Sequence, residues 1–270
     1  MKIKRISITL ALLAGLSACA GETEEKYVER PVHDIYNSAV NAIEKGDLQT
    51  AATLFDEVER QHPYSIWATK AQLMAAYAYY QASKYDEAII ALDRFIQLHP
   101  GNRDVPYAYY LKALSHYEQI SDVSRDQLAT RRALRALTEI VRRFPQSNYA
   151  RDARLKIDLT QDHLAGKEMQ VGRYYLRRNE MVAAINRFRR VVDQFQTTSH
   201  VPEALHRLAE AYATLGMTEE AGKAAAVLGY NYPGNEWYAD SYTLVTGKTV
   251  GAVEKKKSRS FLAKAWDWVF

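Results

Sequence analysis

Cys19 is the only thiol among 270 residues, and it sits in the stretch ALLAGLSACA at 11–20. A thiol can act as nucleophile, disulfide partner, metal ligand or acyl acceptor, and each role needs particular company. There is no second cysteine for a disulfide. Among the seven histidines, His62 and His99 fall in the same slot before a proline, which makes them positional. His33, His116, His163, His200 and His206 show no ligand spacing such as HExxH, and His200 and His206, six apart, do not share a helical face. VTGKTVG near Lys248 is similar to a phosphate-binding loop, but Tyr242 stands where that loop requires glycine. No G-x-S-x-G elbow occurs, and the carboxylates fall on solvated helix faces. These patterns indicate no catalytic residue, no metal and no cofactor. The expected activity is binding, and an enzyme is not expected.

The remaining role for Cys19 is lipid attachment. Met1-Lys2-Ile3-Lys4-Arg5 is a positive start, Ile6 to Gly15 is mostly apolar, and small residues lead into the cysteine. That is the layout of a secretory signal peptide, and the apolar run is shorter than a membrane span requires. Leu16-Ser17-Ala18-Cys19 resembles the bacterial lipobox, which implies diacylation of Cys19, cleavage before it and acylation of the freed amine. Two or more acyl chains anchor stably where one does not. Ala20 follows, where in the sorting pathway this resembles an Asp would retain the protein at the inner membrane, so the outer membrane is the expected address.

Composition narrows the class. Loss of Lys2, Lys4 and Arg5 with residues 1–18 brings the formal charge of +4 near +1, and nucleic acid is not an expected partner. At 47% hydrophobic and 25% charged the chain is globular; 12 Gly, 7 Pro and scarce period-2 alternation point to an almost wholly helical fold.

An internal repeat organises it. Helical runs close at Pro63, Pro100, Pro145 and Pro233, with Gln196 in the same slot. Twelve residues before each stands Ala51, Ala88, Ala133, Ala221 and, for Gln196, Ala184. Four after each alanine come Phe55, Leu92, Leu137, Ala225 and Phe188, and seven after, Val58, Phe95, Ile140, Leu228 and Val191. The small residue admits a neighbouring helix, and the i, i+4, i+7 set is one buried stripe. Tyr79, Tyr175 and Tyr212 recur nine before the alanine, with Ala42 in the first unit. Turn signals EKGDLQ, ASKYDE, RRNEMV and TLGMTE separate the helices of a pair. The third unit instead contains YEQISDVSRDQLATRR, which displaces Tyr117, and the fourth opens with a long helical run weakened only by Gly166 and Gly172.

The pattern is that of tetratricopeptide units. The expected fold is all-α: an α-solenoid of five helix pairs with a polar N-terminal tether and a C-terminal extension. The expected divisions are a signal peptide at 1–18, a lipidated tether at 19–31, the solenoid at 32–245, and a basic linker and aromatic tail at 246–270.

Such a stack binds extended partners in its concave face. Tyr77 and Tyr80 in MAAYAYYQ share a helical face, as do Tyr107 and Tyr110 in YAYYLK. Their spacing serves a groove or a core equally well.

Three stretches carry a family resemblance: Tyr77-Ala-Tyr-Tyr80 followed by DRFIxLxP at 93–100, the insertion SRDQ at 124–127, and Tyr174-Tyr175 followed by AINRF at 184–188. With the lipobox and five repeats, the chain resembles the BamD family, lipoprotein subunits of the outer-membrane β-barrel assembly machinery, over roughly residues 19–235. The resemblance implies a non-catalytic scaffold on the periplasmic face of the outer membrane. It implies amino-terminal repeats that face targeting segments of unfolded outer-membrane proteins, and later repeats that dock a periplasmic domain of the central barrel subunit beside other machinery lipoproteins. Carried over by position, Arg187 contacts that subunit through charge, and Tyr175 contacts substrate or subunit. His62 fills a loop slot where the family can present an aromatic ring. The peptide-groove candidates are Tyr36, His62, Tyr77, Tyr80 and Arg94. A periplasmic repeat lipoprotein that scaffolds cell-wall enzymes is the rival reading.

The tail departs from the family. Leu262, Ala265, Trp266 and Val269 follow amphipathic-helix spacing behind EKKKSR, as for a membrane surface or a partner. Trp266, Trp268 and Phe270 also alternate as an outer-membrane strand does, so the tail could mimic a targeting segment. Replacing Cys19 by Ser is expected to abolish incorporation of labelled palmitate into the protein; undiminished labelling would end the lipidation reading.

Overall fold

The computed structural model describes residues 29–248. Among them are eleven α-helices and no strand: α1 (Val32–Glu44), α2 (Leu48–Gln61), α3 (Ile66–Gln81), α4 (Tyr85–Leu98), α5 (Val105–Glu118), α6 (Leu128–Arg143), α7 (Asn148–Arg177), α8 (Met181–Gln194), α9 (Val201–Thr214), α10 (Thr218–Asn231) and α11 (Glu236–Thr246). They form five consecutive pairs, α1/α2 to α9/α10, and α11 packs across the end against α9 and α10.

The repeat slots are where the packing is tightest. Ala51, Ala88, Ala133, Ala184 and Ala221 are each at most 1% exposed, and Phe55, Leu92, Leu137 and Phe188 below them are fully buried. Each second helix presents this alanine to its partner, and its larger residues fill the space one and two turns further on.

A shared turn closes four of the pairs. Gly46, Ser83, Asn179 and Gly216 all have positive φ, between 58° and 77°. Each stands five residues before its repeat alanine. The following amide then bonds back to the carbonyl of Ala42, Tyr79, Tyr175 or Tyr212 at 2.9–3.0 Å, a Schellman closure. The slot nine before the alanine is therefore a backbone acceptor position as well as a packing one.

Between pairs, Ser65, Ser147 and Asn235 cap α3, α7 and α11, each two residues after Pro63, Pro145 or Pro233. Proline ends one helix and the capping side chain begins the next.

The third pair has no such turn. Its insertion folds around Gln127, whose buried amide donates to the carbonyls of Val123 and Arg125 and accepts from Thr130 at 2.9 Å. Lys167 Nζ on α7 reaches the Ser124 carbonyl at 2.7 Å, tying the loop to the next unit.

Successive first helices touch one another: α1 with α3, α3 with α5, and α5 with α7. Successive second helices make no comparable set of contacts, so the stack bends with first helices on the inside. At the far end α11 docks through His206, which bonds Ser241 at 2.8 Å and lies 5.1 Å from the Trp237 ring. Burial holds the His206 imidazole below its ordinary pKa, and the positive charge of Arg207 adds to the shift.

Gly172 on α7 has a packing role that its sequence context hid. A Cβ there would lie 2.8 Å from Phe188 Cζ, inside van der Waals contact, so the absent side chain is what lets α8 close on α7. Gly222 on α10 has no neighbour within 4 Å of such a Cβ. Gly172→Ala is expected to destabilise by about 1–2 kcal/mol through overpacking. Gly222→Ala is expected to stabilise by up to about 1 kcal/mol through helix propensity. Urea denaturation followed by far-UV circular dichroism separates the two signs.

Candidate functional site

Side chains of the inner first helices build an aromatic row. Tyr36 on α1 packs edge-on to Phe55 at 5.3 Å and against Trp67 on α3 at 4.8 Å. Tyr77 and Tyr80 follow on α3, Tyr107 and Tyr110 on α5, and Tyr149 on α7 lies 5.6 Å from Tyr107 and 5.1 Å from Tyr110. Tyr77 and Tyr80 are partly buried and partly accessible. The rings are half-buried against the cluster of Leu92 and Phe95, and the partly accessible edges belong to the row.

Burial raises the phenol pKa of Tyr36, Tyr80, Tyr107 and Tyr110. Burial pushes Tyr107 up to about 12. Tyr110 is raised further, first by burial and then by its hydrogen bond to Asp152 Oδ2 at 2.5 Å. Burial, then the nearby Glu118, raises Tyr80. At neutral pH the row offers flat apolar area with neutral hydroxyls, a chemistry suited to aromatic-rich polypeptide rather than to phosphate or metal.

His62 and Arg94 stand elsewhere. His62 follows α2, where its ring Nε2 lies 2.7 Å from the Arg30 carbonyl, while Gln61 accepts from the Arg30 amide at 2.9 Å. The ring is a clasp on the incoming chain. The aromatic that this loop presents to solvent is Tyr64, fully exposed, beside Ile66 at 80%. The signal was available: Tyr64 follows Pro63 in QHPYS and occupies no core slot. Arg94 pairs with Glu59 on α2. Both line an open depression of about 660 Å³ between α2 and α4 with Asp56, Tyr79 and Ile90, apart from the row of Tyr77 and Tyr80.

A second candidate surface lies on the fourth pair. Arg187 Nη1 on α8 meets Glu168 Oε2 on α7 at 3.1 Å, and Arg190 Nη1 meets Glu168 Oε1 at 2.8 Å. Two guanidinium groups share one carboxylate, which leaves a positive charge over, with Arg187 about one-third exposed and its fork held in place. Tyr175 is half-buried in the carboxy-terminal core. Its neighbour Tyr174 faces outward, 46% exposed, with the Arg178 guanidinium over its ring and Nη1 donating to its hydroxyl at 2.7 Å. Aromatic spacing alone could not tell which of the two adjacent tyrosines points out, because one residue of helix rotation decides it.

Among the described residues no three His, Cys, Asp or Glu side chains are arranged to hold a metal ion, and no helix is long and apolar enough to cross a membrane. Cys19, most of the tether at 19–31 and the tail from 249 lie outside the described residues.

A family model described as YfiO, outer membrane lipoprotein, matches residues 28–228. The outer membrane protein assembly factor BamD of Caulobacter vibrioides is 50% identical over 247 residues, which span 89% of this chain and 81% of that protein. BamD of Rickettsia prowazekii is 44% identical over 90% of this chain and 96% of its own length. BamD of Neisseria meningitidis serogroup A is 35% identical, covering 86% and 92%.

The chain belongs to the BamD family. It is an outer-membrane protein assembly factor built as a non-catalytic tetratricopeptide-type scaffold.

Within this BamD-family scaffold, Tyr110 and Tyr107 differ in what their hydroxyls hold. Tyr110→Phe removes the bond to Asp152 and is expected to cost about 1–1.5 kcal/mol. Tyr107→Phe, with no side-chain hydrogen bond among the described residues, is expected to cost less than about 0.5 kcal/mol. Thermal unfolding of the two variants in parallel checks the difference.

Proposed function

We propose that this protein, lipid-anchored through Cys19 on the periplasmic face of the outer membrane, binds the central barrel subunit of the assembly machinery beside other machinery lipoproteins. It also holds targeting segments of unfolded outer-membrane proteins for insertion. The observation that carries this reading is the Arg187–Glu168–Arg190 cluster: a pre-oriented, partly exposed guanidinium with surplus positive charge. Such a group recognises a carboxylate on a folded partner, because Glu168 already holds the fork in one orientation and little side-chain entropy is lost on binding.

The inner aromatic row supports the other half. Unfolded barrel proteins present alternating apolar and polar residues, often with terminal aromatics. Neutral tyrosines half-sunk in a rigid face give such a strand area and hydroxyl partners with few rotors to freeze. Tyr64 and Ile66, exposed at the amino-terminal end, extend the same chemistry beyond the row.

The test is a pull-down from detergent-solubilised envelopes with wild type, Arg187→Glu and Arg187→Lys. A large barrel protein with periplasmic domains should co-purify with wild type, fall about tenfold with Arg187→Glu, and fall less with Arg187→Lys, which keeps the charge and loses the fork. Recovery of cell-wall synthases or amidases in its place would overturn the partner assignment.

A further inference from the structure

The helix α6 carries Arg131, Arg132, Arg135, Arg142 and Arg143 against one carboxylate, Glu139. Arg143 is engaged: it bonds Glu139 at 2.8 Å and lies 5.1 Å over the Tyr109 ring. The other four make no side-chain ion pair or hydrogen bond among the described residues. Elsewhere among the described residues unpaired cations such as Arg177 and Arg189 stand singly, while Arg94 pairs with Glu59, Arg190 with Glu168 and Lys223 with Glu219. Arg131, Arg135 and Arg142 fall at i, i+4 and i+11 and form a crest about 16 Å long. Like charges at i, i+4 repel, and Glu139, the one carboxylate on the helix, is bonded to Arg143.

Beside the crest a hollow of about 410 Å³ opens between α5 and α6, lined by Tyr109, Lys112, His116, Arg132, Arg135 and Glu139. Lys112 is neutralised by Asp93 at 2.5 Å. Burial, with Lys112 and Arg132 adding to it, holds His116 below its ordinary pKa, so a neutral imidazole faces the free arginines. The hollow therefore joins an aromatic wall to two unpaired guanidinium groups.

We propose that the α6 crest and its hollow dock an acidic polypeptide segment of a partner protein, one carboxylate entering between Arg132 and Arg135 and others lying along Arg131 to Arg142. A flat anionic bilayer would meet the outer arginines only. A side chain can enter the space between two helices, and planar guanidinium forks match carboxylates two bonds at a time. This surface is separate from Arg187 and from the inner aromatic row, so all three can be engaged together.

The test uses the full mature chain and fluorescence anisotropy with a labelled peptide alternating glutamate and alanine, beside its glutamine counterpart. Arg131→Glu/Arg135→Glu/Arg142→Glu should weaken binding of the acidic peptide at least about tenfold. Arg103→Glu/Arg177→Glu/Arg189→Glu, an equal charge change on scattered exposed arginines, should weaken it less than about twofold. Circular dichroism confirms that both triples fold. Equal losses in the two triples, or equal binding of the glutamine peptide by wild type, would overturn the proposal. Co-sedimentation with phosphatidylcholine vesicles, with and without phosphatidylglycerol, supplies the other arm. Crest-dependent retention on the anionic vesicles without crest-dependent peptide binding would assign the surface to the membrane and sink the proposal.

Discussion

Everything in this solenoid depends on how closely two helices can approach at one alanine per pair. At Ala51, Ala88, Ala133, Ala184 and Ala221 the side chain is a single methyl with essentially no solvent contact. Close approach there brings the larger residues one and two turns below into full burial, where each contributes on the order of 1.5–3 kcal/mol. Where a residue larger than alanine crosses, the opposite helix must give way. Gly172 does so opposite the ring of Phe188. A bulkier side chain at one of these crossings would separate the two helices of that pair.

That dependence is why the fold was so legible. A repeating small residue, a fixed stripe below it and prolines at a constant offset are local signals, and all five frames are buried as their spacing predicts. The positive-φ turn was visible as glycine in EKGDLQ and TLGMTE. Ser83 and Asn179 hold the same backbone state without glycine, and only their position in the repeat marks them. The insertion was legible as an interruption, but not the organising role of Gln127. A buried amide satisfied by carbonyls close in sequence and by Thr130 has no spacing signature.

The site was less legible because its properties are relational. Arg187 reads as an exposed charge until Glu168, nineteen residues earlier, is placed beside it together with Arg190. His62 occupies a loop slot whose outward aromatic is Tyr64, since the histidine ring is spent on the Arg30 carbonyl. Arg94 shares a helix with residues that support the aromatic row, yet its charge turns to Glu59 and the depression behind it. Periodicity says which face of a helix is buried. It does not say which of the remaining directions meets a neighbour.

The order of the helix contacts has a kinetic meaning. Each helix packs against the helices before and after it, first helices reach one pair further, and α11 rests on α9 and α10. No packing joins the two ends of the described chain, so loop-closure entropy is settled in short steps and the contact order is low. Structure can start at any pair and spread to its neighbours. Disruption of one pair likewise stays beside that pair unless it reaches the next interface. A chain of this kind completes itself segment by segment as it emerges, without waiting for a distant partner strand.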